Sequence, residues 1–529
     1  MCYLATLINF LITTIHMFLC QIKFYGYNLN INNLSLKKRG CAMSANTYHS
    51  PQKFHDSIVT HLGDSQLREN LKSCMDTLKA NRKKLIANRY YDWEGLRELG
   101  RQIKQRALSN LPELLERFEA NATQRGIKVH WAKDSKEANE IIYNLAKEKN
   151  VDTILKGKSM ASEEIHLNAF LKEKGIKAVE TDLGELIIQL IDETPVHIVV
   201  PAIHKNRNQI GKIFEENLKV TFTNVPEELN GIARKHLRNQ FQSFKMGLTG
   251  VNFAIANEGA IWLLENEGNG RMSSSACDIH VAICGIEKMV ESFEDACVLD
   301  TLLVPSATGA PITCYNNIIS SPRKTKELDG PKEVHIILLD NNRSNMLAQP
   351  HYHKALSCIR CGTCLNHCPV YDKIGGHSYL VTYPGPIGEV ISPQIFGLNN
   401  CGYMTNLCSL CGRCSEKCPV KIPLAELIRD LRSEKVGQGR KQIAGYNETK
   451  RDLMEQRAMK QFSKLATSGF TWRMVMKMSH IFSPLLRYIA PIPFVQKTPL
   501  GKWLQNHSLP VLNGNLHAKV SNMKGVIYE

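Results

Sequence analysis

The chain has 529 residues, which is too long for a single ordinary core and predicts two or three domains. Hydrophobic residues make up 43% of the chain and charged residues 22%, a globular composition that excludes general disorder. The formal net charge is +16, but the basic residues are scattered along predicted solvated helices, without an arginine-rich arm or a basic tract interleaved with aromatic residues. We therefore expect no binding of nucleic acid.

The cysteine content points to the redox compartment. There are 17 cysteines, an odd number, and more than half of them lie outside any pairing pattern. This distribution is not typical of a secreted disulfide framework. We therefore expect a reducing compartment.

The N-terminal 42 residues differ from the rest of the chain. Residues 2–20 are uncharged and nearly long enough to span a bilayer, but they lack the basic start and the cleavage site of a secretory signal. Residues 37–39 are Lys-Lys-Arg and would suit a cytoplasmic flank, while Met43-Ser44-Ala45 is typical of an ordinary cytosolic start. We interpret residues 1–42 as an upstream extension absent from the working protein, with a single-helix anchor as the alternative.

The next segments predict a helical arm followed by an α/β domain. Residues 43–109 keep apolar side chains three and four positions apart and predict helices packed on the α/β domain. In residues 110–345, short apolar runs alternate at first with helical segments at 135–150 and 162–175, which predicts a mostly parallel sheet covered on both faces. The predicted strands are 127–133, 151–157, 176–182, 196–202, 251–257, 260–266, 280–285, 300–305 and 333–340.

Polar residues follow several of these predicted strands. Open α/β sheets bind ligands beyond the carboxyl ends of their strands, so we predict a small-anion pocket there. The candidate substrate-binding residues are Lys158, Ser159, His204, Glu258 and Thr308. Each of them alone is also explained as a cap, a turn residue or a satisfied buried side chain. No Walker loop and no G-x-G-x-x-G follows a strand, and no flavin or nicotinamide motif is evident.

Residues 346–440 contain two cysteine tracts, CIRCGTCLNHCPV at 358–370 and CSLCGRCSEKCPV at 408–420. Both have the ferredoxin spacing C-x2-C-x2-C-x3-C-P, in which the fourth cysteine ligates the other cluster. Structural zinc uses pairs of ligands and four in all, so it fits this pattern poorly. The tracts predict one 4Fe-4S cluster held by Cys358, Cys361, Cys364 and Cys418, and a second held by Cys368, Cys408, Cys411 and Cys414.

Three further features surround the tracts. Cys401 is either a spare ligand or a buried thiol, and we favour the buried thiol. Residues 424–435 predict a helix that closes the cysteine region, and residues 441–529 predict a basic helical tail. Within that tail, the methionine and aromatic stripe at 471–482 is more typical of a core or partner contact than of a membrane segment.

The combined motifs resemble the lactate utilization protein B family from about residue 60 to the end. The matching stretches are residues 156–190, VPAIHKNR at 200–207, NEGNGRM at 266–272, GIEKMV at 285–290, PSATG at 305–309 and both cysteine tracts. The resemblance supports seven of the eight predicted cluster cysteines, and it is weaker at Cys408, where some members lack a cysteine. One departure is the Asn-Glu-Gly-Ala turn at 257–260, where a Glu-Thr-Gly-Thr type of turn is expected.

The resemblance implies an α/β domain of the LUD type and a helical two-cluster ferredoxin domain. It also implies a cytoplasmic iron-sulfur subunit of a complex that oxidises the small organic acid L-lactate to pyruvate. The expected partners are the A-type and C-type lactate utilization proteins, with a peripheral membrane or quinone-linked acceptor.

Three hypotheses describe the division of labour. In the first, this chain is the electron-transfer subunit of an oxidoreductase complex. In the second, the α/β domain itself is the dehydrogenation site. Lys158, Ser159 and His204 then bind the carboxylate of the substrate and accept the proton. In the third, the chain is a ferredoxin-like adaptor for another 2-hydroxy acid oxidase, and the α/β domain only docks the partners.

Overall fold

The computed structural model describes residues 51–435 and 453–475. Within the first range, residues up to 434 belong to one compact unit, while the helix that begins at Leu453 belongs to a second unit. The predicted extension 1–42 and most of the predicted tail lie outside the described residues. In the two described ranges, no helix combines the length and the apolar character that crossing a bilayer requires.

The elements are numbered here in chain order. The strands are β1 (Lys128–Ala132), β2 (Thr153–Lys156), β3 (Lys177–Glu180), β4 (Met246–Gly250), β5 (Phe253–Ile255), β6 (Ala260–Glu265), β7 (Ile279–Gly285), β8 (Met289–Val290), β9 (Tyr315–Ile319) and β10 (Glu333–Leu339). The helices up to the end of the α/β domain are α1 (Pro51–Gly63), α2 (Ser65–Arg89), α3 (Trp93–Ser109), α4 (Leu111–Gln124), α5 (Ser135–Glu148), α6 (Met160–Glu164), α7 (Leu167–Glu173), α8 (Leu183–Leu190), α9 (Arg207–Leu218), α10 (Pro226–Phe241), α11 (Asn269–Ser275), α12 (Phe293–Ala307) and α13 (Arg343–Leu347).

The cysteine region is built from short helices. They are α14 (Thr363–Asn366), α15 (Tyr371–Ile374), α16 (Gly385–Phe396), α17 (Leu398–Cys401), α18 (Arg413–Lys417) and α19 (Leu424–Lys435), with α20 (Leu453–Thr467) further along the chain. Short 3-10 segments at Ile286–Lys288, Tyr352–Ser357, His377–Tyr379 and Gly402–Leu407 complete the structure.

The predicted helical arm is confirmed over the described part, as helices α1 to α3, and a further helix, α4, precedes β1. Aspartates begin two of these helices: Asp64 accepts a hydrogen bond from the amide of Leu67 at 2.9 Å, and Asp92 accepts one from the amide of Gly95 at 2.7 Å. Such caps satisfy amides that have no partner inside the helix. The apolar face of α2 and α3 packs into the same core as the cysteine region.

The predicted parallel sheet is also confirmed. Six strands pair in the order β1-β10-β7-β4-β2-β3, and every pair is parallel. Alternate residues of β7 and β10 enter two different apolar clusters, one on each face, as a sheet covered on both sides requires. All parallel strands end at the same edge, so the residues after them come together.

The remaining strands form a second, four-stranded sheet in the order β8-β5-β6-β9. Here β5 pairs antiparallel with β6, and the turn between them packs against α4. Gly259 in this turn has a φ of +56°, and a Cβ there would lie 2.4 Å from the amide nitrogen of Ala122. Only glycine fits such a left-handed, closely packed position.

The predicted strand at 196–202 is wrong, because this segment is a loop tied to itself and to the cysteine region. The His197 Nδ1 atom accepts hydrogen bonds from the amides of Val199 and Val200 at 3.0 and 3.1 Å. The carbonyl oxygen of Val196 accepts a hydrogen bond from the Tyr371 hydroxyl at 2.6 Å. The apolar residues of the segment are buried by this contact and not by a sheet.

The predicted strand at 300–305 is also wrong, because these residues lie inside helix α12. The buried residues of α12 repeat at helical spacing: Ala296, Leu299, Leu302 and Leu303. The predicted strand covered only six residues, too few to show this period. Three strands were not predicted: β4, β8 and β9. In β4, two glycines lower the strand propensity. Gly247 is needed there because a Cβ would lie 1.7 Å from the carbonyl oxygen of Ser273.

Buried histidines lie in the parallel sheet. His280 on β7 pairs with the Thr249 hydroxyl at 2.8 Å, and His335 on β10 pairs with His130 at 2.9 Å. Burial lowers the pKa of His280 to about 3, and burial with the neighbouring His130 lowers the pKa of His335 to about 4. Both are therefore neutral in the folded chain at pH values where they are protonated in the unfolded chain.

The contact between Gly376 and Val196 predicts a destabilised variant. A Cβ at Gly376 would lie 1.9 Å from the Val196 carbonyl oxygen, so Gly376→Ala must push the cysteine region away from the 196–202 loop. We expect the free energy of unfolding to fall by about 2 to 3 kcal/mol. Anaerobic thermal unfolding measures this change. The control is Gly231→Ala in α10, where no atom lies within 4 Å. An unchanged unfolding midpoint for Gly376→Ala would contradict the packing described here.

The buried histidines predict a pH dependence of stability. Their folded pKa lies below the unfolded value, so the unfolded chain binds more protons and stability is lost as pH falls below about 6.5. Each such histidine contributes a slope of about 1.4 kcal/mol per pH unit well below that pH. Anaerobic unfolding midpoints at pH 7.0 and 5.5 should show a smaller decrease in His280→Gln than in the wild type. His55→Gln in α1 should behave like the wild type, and equal decreases in all three proteins would argue against the assignment.

Candidate functional site

The two cysteine tracts adopt the same loop conformation. In each, the residue before the second cysteine is left-handed: Arg360 has a φ of +63° and Leu410 a φ of +55°. The glycine after the second cysteine is left-handed too, with φ of +74° at Gly362 and +77° at Gly412. Non-glycine residues rarely adopt this conformation, and such strain clusters at functional sites. The repeated sequence therefore folds as a repeated loop.

Backbone amides in both loops point at sulfur. The Arg360 amide lies 3.4 Å from the Cys358 Sγ, and the Leu410 amide lies 3.3 Å from the Cys408 Sγ. The Tyr371 amide lies 3.4 Å from the Cys368 Sγ. Amides directed at cysteine sulfur stabilise thiolates and the metal clusters that they bind.

Four thiols from both tracts line one small cavity. They are Cys358, Cys361, Cys364 and Cys418, and the cavity walls are otherwise mostly apolar. This is the mixed set predicted from the spacing, with the fourth cysteine contributed by the second tract. Burial raises the pKa of Cys361 to about 11 and that of Cys418 to about 12. A buried cluster of thiols fits a metal site, because metal binding favours the thiolates that burial alone disfavours.

The other four tract cysteines differ in exposure. Cys368 and Cys414 are buried and interact electrostatically with each other, Cys408 is partly buried, and Cys411 is exposed. This set therefore reaches the protein surface at Cys411, whereas the first set has no exposed cysteine and only Cys358 is partly buried. Cys401 packs in the apolar core.

The helical arm holds the end of the second tract. On α3, the Arg97 guanidinium donates hydrogen bonds to the Cys418 carbonyl oxygen at 2.7 and 3.1 Å and to the Glu416 carbonyl oxygen at 2.8 Å. On α2, Arg82 donates to the Lys417 carbonyl oxygen at 3.3 Å. The arm thus fixes the backbone that positions Cys418 beside the first tract.

A cleft of about 290 Å³ lies at the carboxyl edge of the parallel sheet. Residues that follow or end β2, β3, β4, β7 and β10 line it, which agrees with the general position of ligand sites in open α/β sheets. Residues of the cysteine region close its other side.

Three of the predicted substrate-binding residues line this cleft: Lys158, Ser159 and Thr308. The Lys158 ammonium donates to the Val199 carbonyl oxygen at 2.6 Å and lies 3.9 Å from an Asp182 carboxylate oxygen. Ser159 caps α6, and Thr308 ends α12. All three side chains therefore also have local structural partners.

His204 and Glu258 lie elsewhere, so the expectation of one pocket for all five residues does not hold. His204 follows the loop at 196–202 and not a strand, and its Nε2 atom lies 2.6 Å from a Glu193 carboxylate oxygen. Burial alone would raise the pKa of Glu193, but hydrogen bonds from His204 and Lys205 lower it to about 2. Glu258 occupies the turn between β5 and β6, in the second sheet.

Several cleft residues were missed by sequence reasoning. They are Glu287 and Lys288 after β7, Arg343 after β10, and Arg360 and Tyr383 from the cysteine region. The first three follow strands that were predicted at 280–285 and 333–340, so the strand-end rule would have found them if applied to those strands. The last two carry no signal of this kind, because only the folded chain brings them to the cleft.

These missed residues form a buried charge network. Arg343 donates to both oxygens of Glu164 at 2.8 and 2.7 Å and also to Glu287. The Arg360 Nη2 atom lies 3.2 Å from the other Glu287 oxygen, and its guanidinium lies over the Tyr383 ring at 4.6 Å. Burial alone would raise the pKa of Glu287, but Arg343 and Arg360 hold it at about 2. The network joins the sheet edge to the first cysteine tract.

The cleft and the four-thiol cavity share a wall. Arg360 and Ile198 line both of them. The contact is fixed further by Thr363 and Asn366 of α14, which donate hydrogen bonds to the Ser306 and Ala307 carbonyl oxygens at the end of α12. A molecule in the cleft therefore lies one layer of side chains from the thiols.

Comparison with known families divides the chain into three matched regions. Residues 115–339 match the LUD domain, residues 354–422 match the 4Fe-4S dicluster domain, and residues 430–526 match the C-terminal domain of lactate utilisation protein B. The iron-sulfur clusters predicted from the cysteine spacing are therefore confirmed at the level of the domain.

Curated relatives cover most of the chain. Lactate utilization protein B of Bacillus cytotoxicus is 41% identical over 432 residues, which cover 82% of this chain and 89% of that protein. The Bacillus cereus protein of the same name is 40% identical over 430 residues, covering 81% and 88%. A crystal structure of a DUF162 family protein from Deinococcus radiodurans aligns with 43% of this chain and 98% of that one, at 13% identity and a TM-score of 0.26, too low to support an argument. The chain belongs to the lactate utilization protein B family.

Proposed function

We propose that this chain is the iron-sulfur electron-transfer subunit of a complex that oxidises L-lactate to pyruvate and passes the electrons to a further acceptor. The observation that supports it best is the wall shared by the cleft and the four-thiol cavity. A substrate in the cleft would lie beside one set of cluster ligands, while the second set reaches the surface at Cys411. This arrangement suits a path that enters at a buried site and leaves at an exposed one.

We assign the ligands as the sequence predicted. Cluster 1 is held by Cys358, Cys361, Cys364 and Cys418, and cluster 2 by Cys368, Cys408, Cys411 and Cys414. When bound, each 4Fe-4S cluster supplies a one-electron carrier, so two clusters match the two electrons that lactate oxidation releases. The lining of the four-thiol cavity supports the first set directly, and the proximity of Cys368 to Cys414 supports the second.

The cleft also offers proton acceptors. Oxidation of lactate to pyruvate releases two protons together with the two electrons. Asp182 and Glu267 line the cleft near Lys158. Burial and the neighbouring Asp182 raise the pKa of Glu267, which brings it nearer to the range of a general base. In this proposal Lys158, Ser159 and Thr308 shape the site. Asp182 and Glu267 would accept the two protons, one from the hydroxyl and one from Cα, and the two electrons would pass to the clusters.

The exposed second cysteine set supports a partner contact. Leu410, beside Cys411, is also exposed, so the surface around cluster 2 is accessible. We propose that an A-type or C-type lactate utilization protein docks there, because the relatives carry the name lactate utilization protein B, which implies companion proteins. Electrons would leave this chain at that contact.

The function is tested by anaerobic iron and sulfide analysis and EPR spectroscopy of the purified chain, with and without its partners. We expect about eight iron atoms per chain and a reduced-cluster signal after L-lactate is added to the complete set of proteins. One zinc or four irons per chain would contradict the two-cluster assignment. Full iron content without any reduction by L-lactate in the complete set would contradict the proposed function while leaving the clusters intact.

The exchange of the fourth ligand between tracts predicts which variants share a phenotype. Cys361→Ala and Cys418→Ala should remove the same EPR signal and about half of the iron, although they lie in different tracts. Cys411→Ala should remove the other EPR signal, and Cys368→Ala should remove that same signal. The control is Cys401→Ala, which should keep both. If Cys418→Ala instead matched Cys411→Ala, each tract would hold its own cluster and the assignment would fail.

A further inference from the structure

Lys288 and Arg360 place two cations at the wall between the cleft and the four-thiol cavity. Lys288 follows β7, is partly buried and lines the cleft. Within the described part of the chain its ammonium donates no hydrogen bond, unlike that of Lys158. The Arg360 side chain is only 10% exposed, and its Nη1 atom is buried without a hydrogen-bond partner among the described residues. Both cations therefore have unused donors.

The surrounding charge does not balance. Among the described residues, the network at this wall contains four cations, Lys104, Lys288, Arg343 and Arg360, but two carboxylates, Glu164 and Glu287. The Lys104 ammonium is occupied by the Glu287 carbonyl oxygen at 2.6 Å, and Arg343 is saturated by both carboxylates. Buried charge is costly unless it is paired and hydrogen-bonded. The positive charge left at Lys288 and Arg360 is therefore offset by the thiolates of cluster 1, by an anion in the cleft, or by both.

The other lysine of the cleft is less suited to an anion. Lys158 already donates to the Val199 carbonyl oxygen, and Asp182 lies within 3.9 Å. Glu267 interacts with the same lysine and aspartate. A carboxylate placed at Lys158 would therefore meet two like charges. One placed at Lys288 and Arg360 would meet two unlike charges and one like charge, Glu287, which Arg343 also pairs.

We propose that Lys288 and Arg360 bind the carboxylate of a small 2-hydroxy or 2-oxo acid. This inference rests on the proposed function and deepens it, because it moves the carboxylate site from Lys158 to the wall beside cluster 1. An arginine whose other nitrogen is held by Glu287 presents its free edge in a fixed orientation, and the lysine adds a point charge. The bound acid would then have its carboxylate at the cluster wall, in the same cleft that Asp182 and Glu267 line.

The alternative explanation is that the two cations only balance the negative charge of cluster 1. Cys358 interacts electrostatically with both Lys288 and Arg360, so this alternative has its own support. The two explanations differ in what the loss of Lys288 changes. A carboxylate site loses ligand affinity, whereas a cation that only balances the cluster shifts the reduction potential and leaves ligand affinity unchanged.

The test is anaerobic calorimetric titration of pyruvate, and of uncharged methyl pyruvate, into the cluster-loaded full chain. Lys288→Met should weaken pyruvate binding at least tenfold, Lys288→Arg should restore most of it, and methyl pyruvate should bind all variants equally weakly. Lys332→Met removes the same charge from an exposed ion pair with Asp278 and should bind like the wild type. Iron content, measured on every variant, shows that cluster loading is retained.

Three results would overturn the proposal. The first is wild-type affinity in Lys288→Met together with a shifted midpoint potential, which would leave only the charge-balancing role. The second is a tenfold loss in Lys158→Met without a loss in Lys288→Met. The third is no pyruvate binding to the wild-type chain at millimolar concentration. Because binding is measured without turnover, failure of lactate oxidation in the complete set would leave this test unaffected.

Discussion

The buried contact of Glu287 with Arg343 and Arg360 is the constraint on which the rest of the site depends. It joins the carboxyl edge of the parallel sheet to the first cysteine tract, and Glu164 and Tyr383 extend it on the side of Arg343. Removing one partner of such a buried pair typically costs about 3 to 5 kcal/mol, because the other charge is left uncompensated. The contact also fixes the side chain of Arg360, which lies in the loop between Cys358 and Cys361.

This constraint explains why the chain is not a ferredoxin domain loosely linked to an α/β domain. The helical arm, the 196–202 loop, helix α12 and the cysteine region contribute to one apolar core. Arg97 on the arm holds the Cys418 backbone, and Tyr371 beside the first tract holds the Val196 carbonyl oxygen. The four-thiol cavity is therefore formed jointly by segments far apart in sequence, and the cleft lies against it.

The sequence predicted the periodic parts of this architecture and missed those that depend on long-range contacts. The helical arm, the strands of the parallel sheet other than β4, and the grouping of Cys418 with the first tract follow from spacing. Residues 196–202 looked like a strand because an apolar run does not reveal whether a sheet or a neighbouring module buries it. Residues 300–305 looked like a strand because they were considered without the rest of the helical pattern, which runs over Phe293–Ala307. Lys158 was predicted because it follows β2. Arg360 was not predicted, because it lies between two cysteines and the cluster motif already explained that stretch of sequence.

The central claim is that a carboxylate ligand in the cleft lies beside cluster 1. The most direct test is electron-nuclear double resonance of the reduced protein with pyruvate labelled with ¹³C at the carboxylate. The account predicts a ¹³C hyperfine coupling that disappears in Cys361→Ala and persists in Cys411→Ala. A coupling that instead depends on Cys411, or no coupling when the cleft is saturated with pyruvate, would contradict it.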